Sequence, residues 1–230
     1  LSLNIDKIWR KKAVKRIVKN LKNSETENLK TNSQIFSFSD SQIQKDSQVL
    51  DVACGTADST IALAKAGVPR VVGVDISEGM LKVGEKKIEE LKLNSTITLK
   101  VEDCENLSIE DNTFDAAFIA FGIRNFEDKK KGLKELHRVL KPNGLLLILE
   151  LSVPQNKILL SLYKLYFLHI LPFIGKKISG DNKAYTYLPQ SVMNFPKPKD
   201  FLQTMEECGF KDVRQKALTF GLCRMYEGKY

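Results

Sequence analysis

Apolar and polar positions alternate along this chain in two periods, and the changes of period mark its elements. Short apolar runs suited to strands buried on both faces occur at Val49, Leu50 and Val52, and again at Val71, Val72 and Val74. Further runs fall at residues 97–101, 114–121 (FDAAFIAF) and 145–151 (LLLILEL). Ahead of the first run, Ile8, Ala13, Ile17 and Leu21 recur at roughly helical spacing beside Trp9. They predict an amphipathic helix over 6–21 with a basic outer face and Asp6 at its start. After the second run, Ser77 caps a helix whose buried side is expected to be Met80, Leu81, Val83, Ile88 and Leu91. Helices are also expected over 128–139, ended by the KPNG turn, and over 199–208. Strands near 213–218 and 222–226 close the chain as an antiparallel hairpin through Gly221.

Two stretches break this rhythm. Residues 22–46 are rich in Ser, Asn, Gln and Glu, with Ile35, Phe36 and Phe38 as their apolar anchors, and read as a surface connection. Residues 157–175, KILLSLYKLYFLHILPFIG, confine polarity to one stripe of Lys157, Ser161 and Lys164. A helix this greasy must be buried, cover an apolar ligand or lie in a membrane interface. With the aromatic, proline-bearing loop expected over 179–198, it reads as a substrate-lid insertion spanning about 155–198.

Composition narrows the classes. At 230 residues with 43% hydrophobic content, one domain carrying an insertion is the economical reading. The formal charge of +8 suits nucleic acid, an anionic membrane surface or a merely lysine-rich chain, and the even spread of lysines favours the last. Cys54, Cys104, Cys208 and Cys223 form no C-x-x-C pair and read as free thiols, and His137 and His169 are far apart, so no metal site is expected. His137, on the helix of ELHRVL, reads as a surface or interface histidine rather than a base. With no signal peptide and no apolar run of the ~18–20 residues a span requires, a cytoplasmic protein is expected, touching a membrane from that side if at all.

The candidate chemistry centres on QVLDVACGTADSTIALAKAGVPRVVGVD, Gln48 to Asp75, a strand, glycine turn, helix and second strand closed by an acid. Asp75 lies twenty positions after Gly55, where such a unit places a carboxylate able to accept both hydroxyls of a ribose. The turn, ACGTAD, has a single glycine, unlike the G-x-G-x-x-G of a pyrophosphate site, and lacks the Lys-Ser/Thr of a P-loop. A compact cationic ligand centre fits better, and the sulfonium of S-adenosylmethionine is one, with Asp51 and Asp58 near to offset its charge. A generic Rossmann-like turn without a ligand is the bland alternative. In such a fold the third strand ends beside the adenine, which selects Asp103 for the exocyclic amine and Cys104 for a ring nitrogen, against the alternative of an ordinary acidic turn. The GIRNF loop after the fourth strand lies at the same sheet edge, facing the transferred methyl. A late antiparallel hairpin on a parallel sheet completes an α/β fold of the class I S-adenosylmethionine-dependent methyltransferase type, Rossmann-like and seven-stranded.

LDVACGTAD, GVDISEGML, VEDCENL, FGIRNF, RVLKPNG with ILEL, and AYTYLPQSVMNFP together resemble the quinone C-methyltransferases of menaquinone and ubiquinone biosynthesis. The resemblance implies that Thr56 beside Gly55 meets the methionine part of S-adenosyl-L-methionine, Asp75 the ribose, and Asp103 with Cys104 the adenine. It places Arg124 and Asn125 at the substrate, where the quinol hydroxyl is expected. The loop at Ser77 to Leu81 and the closing TFGLCRMY favour the menaquinone branch, hence a polyprenylated naphthoquinol, demethylmenaquinol, as substrate, with a benzoquinol of ubiquinone biosynthesis as the alternative. An isoprenoid tail would account for the greasy 157–175 segment and implies transient membrane-surface contact; the oligomeric state stays open. A nucleic-acid methyltransferase would want a proline-aromatic motif where this chain has FGIRNF, and a non-catalytic scaffold would not need the intact turn and Asp75. Three departures from the family pattern stand out. A Tyr-Asp pair is expected in a segment ahead of LSL. Asn4 and Asn143 replace glycines, which their tolerance of left-handed backbone allows. Ala120 stands where some members carry a serine near the cofactor.

Overall fold

The computed structural model describes residues 4–30, 42–156, 160–161 and 182–230. Among them, seven strands form one mixed sheet in the order β3-β2-β1-β4-β5-β7-β6. These are β1 (Gln48–Val52), β2 (Arg70–Asp75), β3 (Ile97–Val101), β4 (Phe114–Ala120), β5 (Leu140–Leu151), β6 (Lys211–Leu218) and β7 (Cys223–Lys229). The first five run parallel, and β7 enters antiparallel between β5 and β6. The chain winds outward from β1 to β3 and then returns to β4. This leaves a crevice where β1 and β4 part at their C-terminal ends, the place where open parallel sheets bind ligands.

Strand alternation divides the core. Val49, Ala116, Phe118, Leu145, Leu147 and Leu149 face one side, with helices α1 (Ile5–Lys30) and α2 (Asp58–Lys65). Leu50, Val52, Ala117, Ile119, Leu146 and Ile148 face the other, with α4 (Lys129–Val139) and α6 (Pro198–Glu207). Both faces are covered, which is why the strands read as near-continuous apolar runs. Helices α3 (Glu78–Glu90) and α5 (Asn182–Asn194) complete the described elements.

Several expectations shift. The first helix runs on to Lys30 instead of ending at 21, because KNSETENLK holds no glycine or proline and polarity alone does not stop a helix. Its buried stripe is Trp9, Ala13, Ile17 and Leu21, while Ile8 is 55% exposed. On α3 only Leu81, Gly84 and Ile88 are buried, and Met80, Val83 and Leu91 face outward. The expected loop over 179–198 contains α5, with Pro189 inside it. Pro189, Val192 and Phe195 are buried at three-residue spacing, a helical signal masked by the proline. The KPNG segment is a bulge within β5: Leu140 pairs with Phe114, and Leu145 already pairs with Ala116. Asn4 and Asn143 have φ of 64° and 66°, the left-handed geometry that asparagine tolerates. The greasy segment over 157–175 lies outside the described residues except for Leu160 and Ser161.

Candidate active site

At the end of β1 the backbone turns sharply into α2 through left-handed residues at Ala53, Gly55 and Ala57. The Asp75 carboxylate, at the end of β2, fixes this turn. Its Oδ2 accepts the Gly55 N–H at 2.8 Å and its Oδ1 the Ser77 N–H at 2.9 Å. Each oxygen retains a lone pair for a further donor. A β-carbon built on Gly55 falls 2.7 Å from Met80 Cε, so the turn also needs glycine for space. Thr56 accepts from Lys87 Nζ through its carbonyl, at 3.1 Å, and through its hydroxyl, at 2.9 Å. Lys87 also pairs with Asp58 at 2.7 Å. Asp58, expected to offset ligand charge, is thereby neutralised by a lysine. Lys87 is 29 residues away in sequence from Asp58, and nothing local signals the contact.

Asp51 behaves differently. It is buried on β1 beneath α2, and its Oδ2 accepts from the Thr60 hydroxyl at 2.6 Å, while its Oδ1 is buried with no donor among the described residues. Burial pushes its carboxyl up to about 7, opposed by the Thr60 bond and the nearby Arg10 charge. Arg10, on α1, donates to Ser59 at 2.6 Å and lies 5.1 Å from the centroid of the Phe121 ring. Asp103 and Cys104 follow the end of β3, one strand beyond Asp75. The Asp103 side chain is exposed and accepts the Glu105 N–H at 2.9 Å. Burial, with Asp103 and Glu105 near, pushes the Cys104 thiol up to about 12, so it stays protonated.

The second half of the site comes from β4 and β5. Phe121 turns left-handed after Ala120, and Ile123–Asn125 form a single 3-10 turn. A β-carbon at Gly122 would sit 2.6 Å from Ala53 Cβ. That close approach sets the GIRNF turn directly against the glycine turn. Arg124 does not stand free there. Its Nη1 meets Glu150 Oε1 at 2.8 Å and also donates to the Phe121 carbonyl, and its own N–H meets Glu150 Oε2 at 3.1 Å. Glu150, fully buried on β5, takes a further N–H from Leu151 at 2.8 Å. Burial raises its carboxyl above the ordinary glutamate range, against the lowering effect of Arg124. The Arg124 Nε is buried and has no hydrogen-bond partner among the described residues. Arg124 is thus one half of a buried ion pair, made of two groups held by strand ends. Glu150 was the missed residue, and its signal was one acid inside LLLILEL. Asn125 Oδ1 accepts from the Tyr187 hydroxyl of α5 at 2.9 Å. Far from this edge, His137 stacks on Tyr230 at 4.3 Å, as an interface histidine.

The strand order, the late antiparallel insertion of β7 and the glycine turn held by an acid at the end of β2 define a class I S-adenosylmethionine-dependent methyltransferase fold. Solved structures share it: a SAM-dependent methyltransferase from Aquifex aeolicus has a TM-score of 0.58 at 19% identity, covering 95% of this chain and 97% of that one. Phosphoethanolamine N-methyltransferase 2 of Haemonchus contortus, in complex with S-adenosyl-L-methionine, gives 0.61 at 16%, covering 90% and 52%. The chain belongs to the ubiE/COQ5 methyltransferase family, whose model matches residues 1–229. It is 39% identical over 227 residues to the demethylmenaquinone methyltransferase of Bacteroides fragilis, covering 98% of this chain and 83% of that protein. It is 38% identical over 231 residues to the ubiquinone/menaquinone biosynthesis C-methyltransferase UbiE of Geobacter sulfurreducens, covering 100% and 80%. The demethylmenaquinone methyltransferase of Staphylococcus carnosus is 43% identical over 189 residues, covering 81% and 77%.

Proposed function

We propose that this protein methylates a ring carbon of a polyprenylated naphthoquinol, demethylmenaquinol, in menaquinone biosynthesis, with S-adenosyl-L-methionine as methyl donor. The observation that carries the reading is the close approach of Gly122 to Ala53, which brings the turn that carries Arg124 and Asn125 against the glycine turn. Family membership and the relatives' names supply the substrate class. The residues present fit the donor. Asp51 Oδ1 is a buried acceptor with no donor among the described residues, suited to an ammonium, and the Asp75 carboxylate has lone pairs left for ribose hydroxyls. Gly55 and Thr56 would flank the methionine part, and Asp103 with Cys104 the adenine. When bound, S-adenosyl-L-methionine supplies an electrophilic methyl group.

The protein's own task is to make a ring carbon nucleophilic and hold it in place. A quinol hydroxyl that loses its proton pushes electron density onto the adjacent ring carbon. Arg124, whose pKa lies above ~12, does not serve as the base. It is an oriented donor, and its Nε, without a partner among the described residues, is the N–H left for the quinol oxygen. Because Glu150 neutralises it, the site gains charge only when the substrate ionises, so the interaction strengthens along the reaction. A water held by Arg124 and Asn125 would take the hydroxyl proton. Once the ring carbon has taken the methyl, leaving S-adenosylhomocysteine, that carbon's own hydrogen is lost as a proton and the ring regains its hydroxyl, so one proton is released overall. Alignment and exclusion of bulk water supply on the order of 7–11 kcal/mol.

Because several relatives are named for both ubiquinone and menaquinone biosynthesis, a methoxy-benzoquinol is the second reading. Incubation with labelled S-adenosyl-L-methionine and each reduced quinone decides between them. Label in the naphthoquinol is expected; label in the benzoquinol alone, or in neither, overturns the proposal. Among the described residues no helix is long and apolar enough to cross a membrane, so a tailed substrate would be met by transient surface contact, and co-flotation with anionic vesicles at low salt is expected.

A further inference from the structure

We infer that Tyr187 is a substrate-binding residue that, through Asn125, selects the reduced, hydroxyl-bearing ring over its oxidised form. This deepens the reading above and rests on it. Tyr187, on α5, lines a cavity of about 250 Å³ together with Arg124, Lys129, Gln190, Ser191, Asn194 and Phe195. That volume is small against the ~300–1,000 Å³ of sites that hold drug-sized ligands, and it suits a ring head group. Phe195 anchors the inner wall, buried against Phe201 at 4.8 Å between ring centroids. Tyr187, by contrast, is 55% exposed, so its ring contributes little to the core.

Its hydrogen bond decides what it can recognise. The Tyr187 hydroxyl donates to Asn125 Oδ1 at 2.9 Å, which uses its only proton. The phenolic oxygen, on a side chain that lines the cavity, is then left with acceptor capacity alone. The same bond fixes the Asn125 amide with its oxygen toward α5, leaving the Nδ2 hydrogens for another acceptor. A quinol hydroxyl both donates and accepts, so it satisfies the pair. A quinone carbonyl only accepts, so it cannot donate to the tyrosine oxygen and forgoes that hydrogen bond. The reduced ring is also the form whose carbon can be methylated, so binding and chemistry select the same oxidation state.

The test uses Tyr187→Phe in the full chain, which keeps the ring and removes the oxygen. With saturating S-adenosyl-L-methionine, the KM for the reduced naphthoquinol and the inhibition constant of the oxidised naphthoquinone are measured for both proteins. The expected result is a rise of about fivefold to tenfold in quinol KM, with no loss of quinone affinity, so the preference for the reduced ring falls by the same factor. The KM for S-adenosyl-L-methionine and the thermal midpoint should not move. Equal changes for quinol and quinone, or an unchanged quinol KM, overturn the role of Tyr187 while leaving the proposed reaction standing. A wild-type protein that methylates no quinol overturns both.

Discussion

Arg124 and Glu150 show how far one residue's role depends on its partner. Removing the arginine alone strands a fully buried carboxylate, which costs about 3–5 kcal/mol of stability. Arg124→Ala is therefore expected to lower both turnover and the denaturation midpoint, with cofactor affinity retained in calorimetry. Arg124→Ala combined with Glu150→Gln should recover much of the stability but none of the turnover. Recovery of turnover in the double variant would remove Arg124 from the chemistry. Asp51 makes a pH prediction. Because burial raises its carboxyl to about 7, the folded state binds the proton more tightly than the unfolded chain does. The stability this gives is present below the ordinary carboxylate range and fades as pH rises through 7, at up to about 1.4 kcal/mol per pH unit. Asp51→Asn should flatten this slope in urea denaturations run from pH 5 to 8, while weakening S-adenosyl-L-methionine binding. Asp75→Asn should weaken cofactor binding about tenfold to a hundredfold, as loss of charge-assisted hydrogen bonds predicts. Asp75 and Gly55 were legible in the sequence because one short βαβ unit fixes their spacing. Glu150 was visible only as an oddity, since its partner is 26 residues away and is brought in by the sheet.

Elements were most legible where packing and period agree. The five parallel strands announced themselves, while α1 was found with its stripe beginning one residue early and its end too early. The correct stripe predicts that Ile17→Ala, at a fully buried position, costs about 2–5 kcal/mol in denaturant unfolding, whereas Ile8→Ala changes little. Trp9 also ties α1 to the β6–β7 turn through a 2.8 Å hydrogen bond to Thr219, a contact across 210 residues that no local pattern encodes. Tight contact between turns makes Gly122 sensitive. Gly122→Ala should wedge the GIRNF turn from the glycine turn, at a cost of about 1–3 kcal/mol, and depress cofactor affinity and turnover together. α5 was missed because Pro189 and the aromatics read as turn formers, although its buried positions repeat at helical spacing.

For the whole molecule, cofactor binding and folding are linked. At a hundredfold excess over Kd, S-adenosyl-L-methionine should stabilise the protein by about 2.7 kcal/mol and raise the thermal midpoint by on the order of 5–10 °C. The Asp75→Asn protein should show a much smaller shift at the same concentration. The sequence by itself determined the parallel sheet, its closing hairpin, the glycine turn and the acid beyond it, because each is written in local periodicity or in spacing within one supersecondary unit. Only the tertiary structure decided that Arg124 is an ion-paired donor, that Lys87 occupies Asp58, and that α5 brings Tyr187 onto Asn125. Those contacts join strand ends and helices distant in the chain, and their geometry is fixed by the order and register of the sheet.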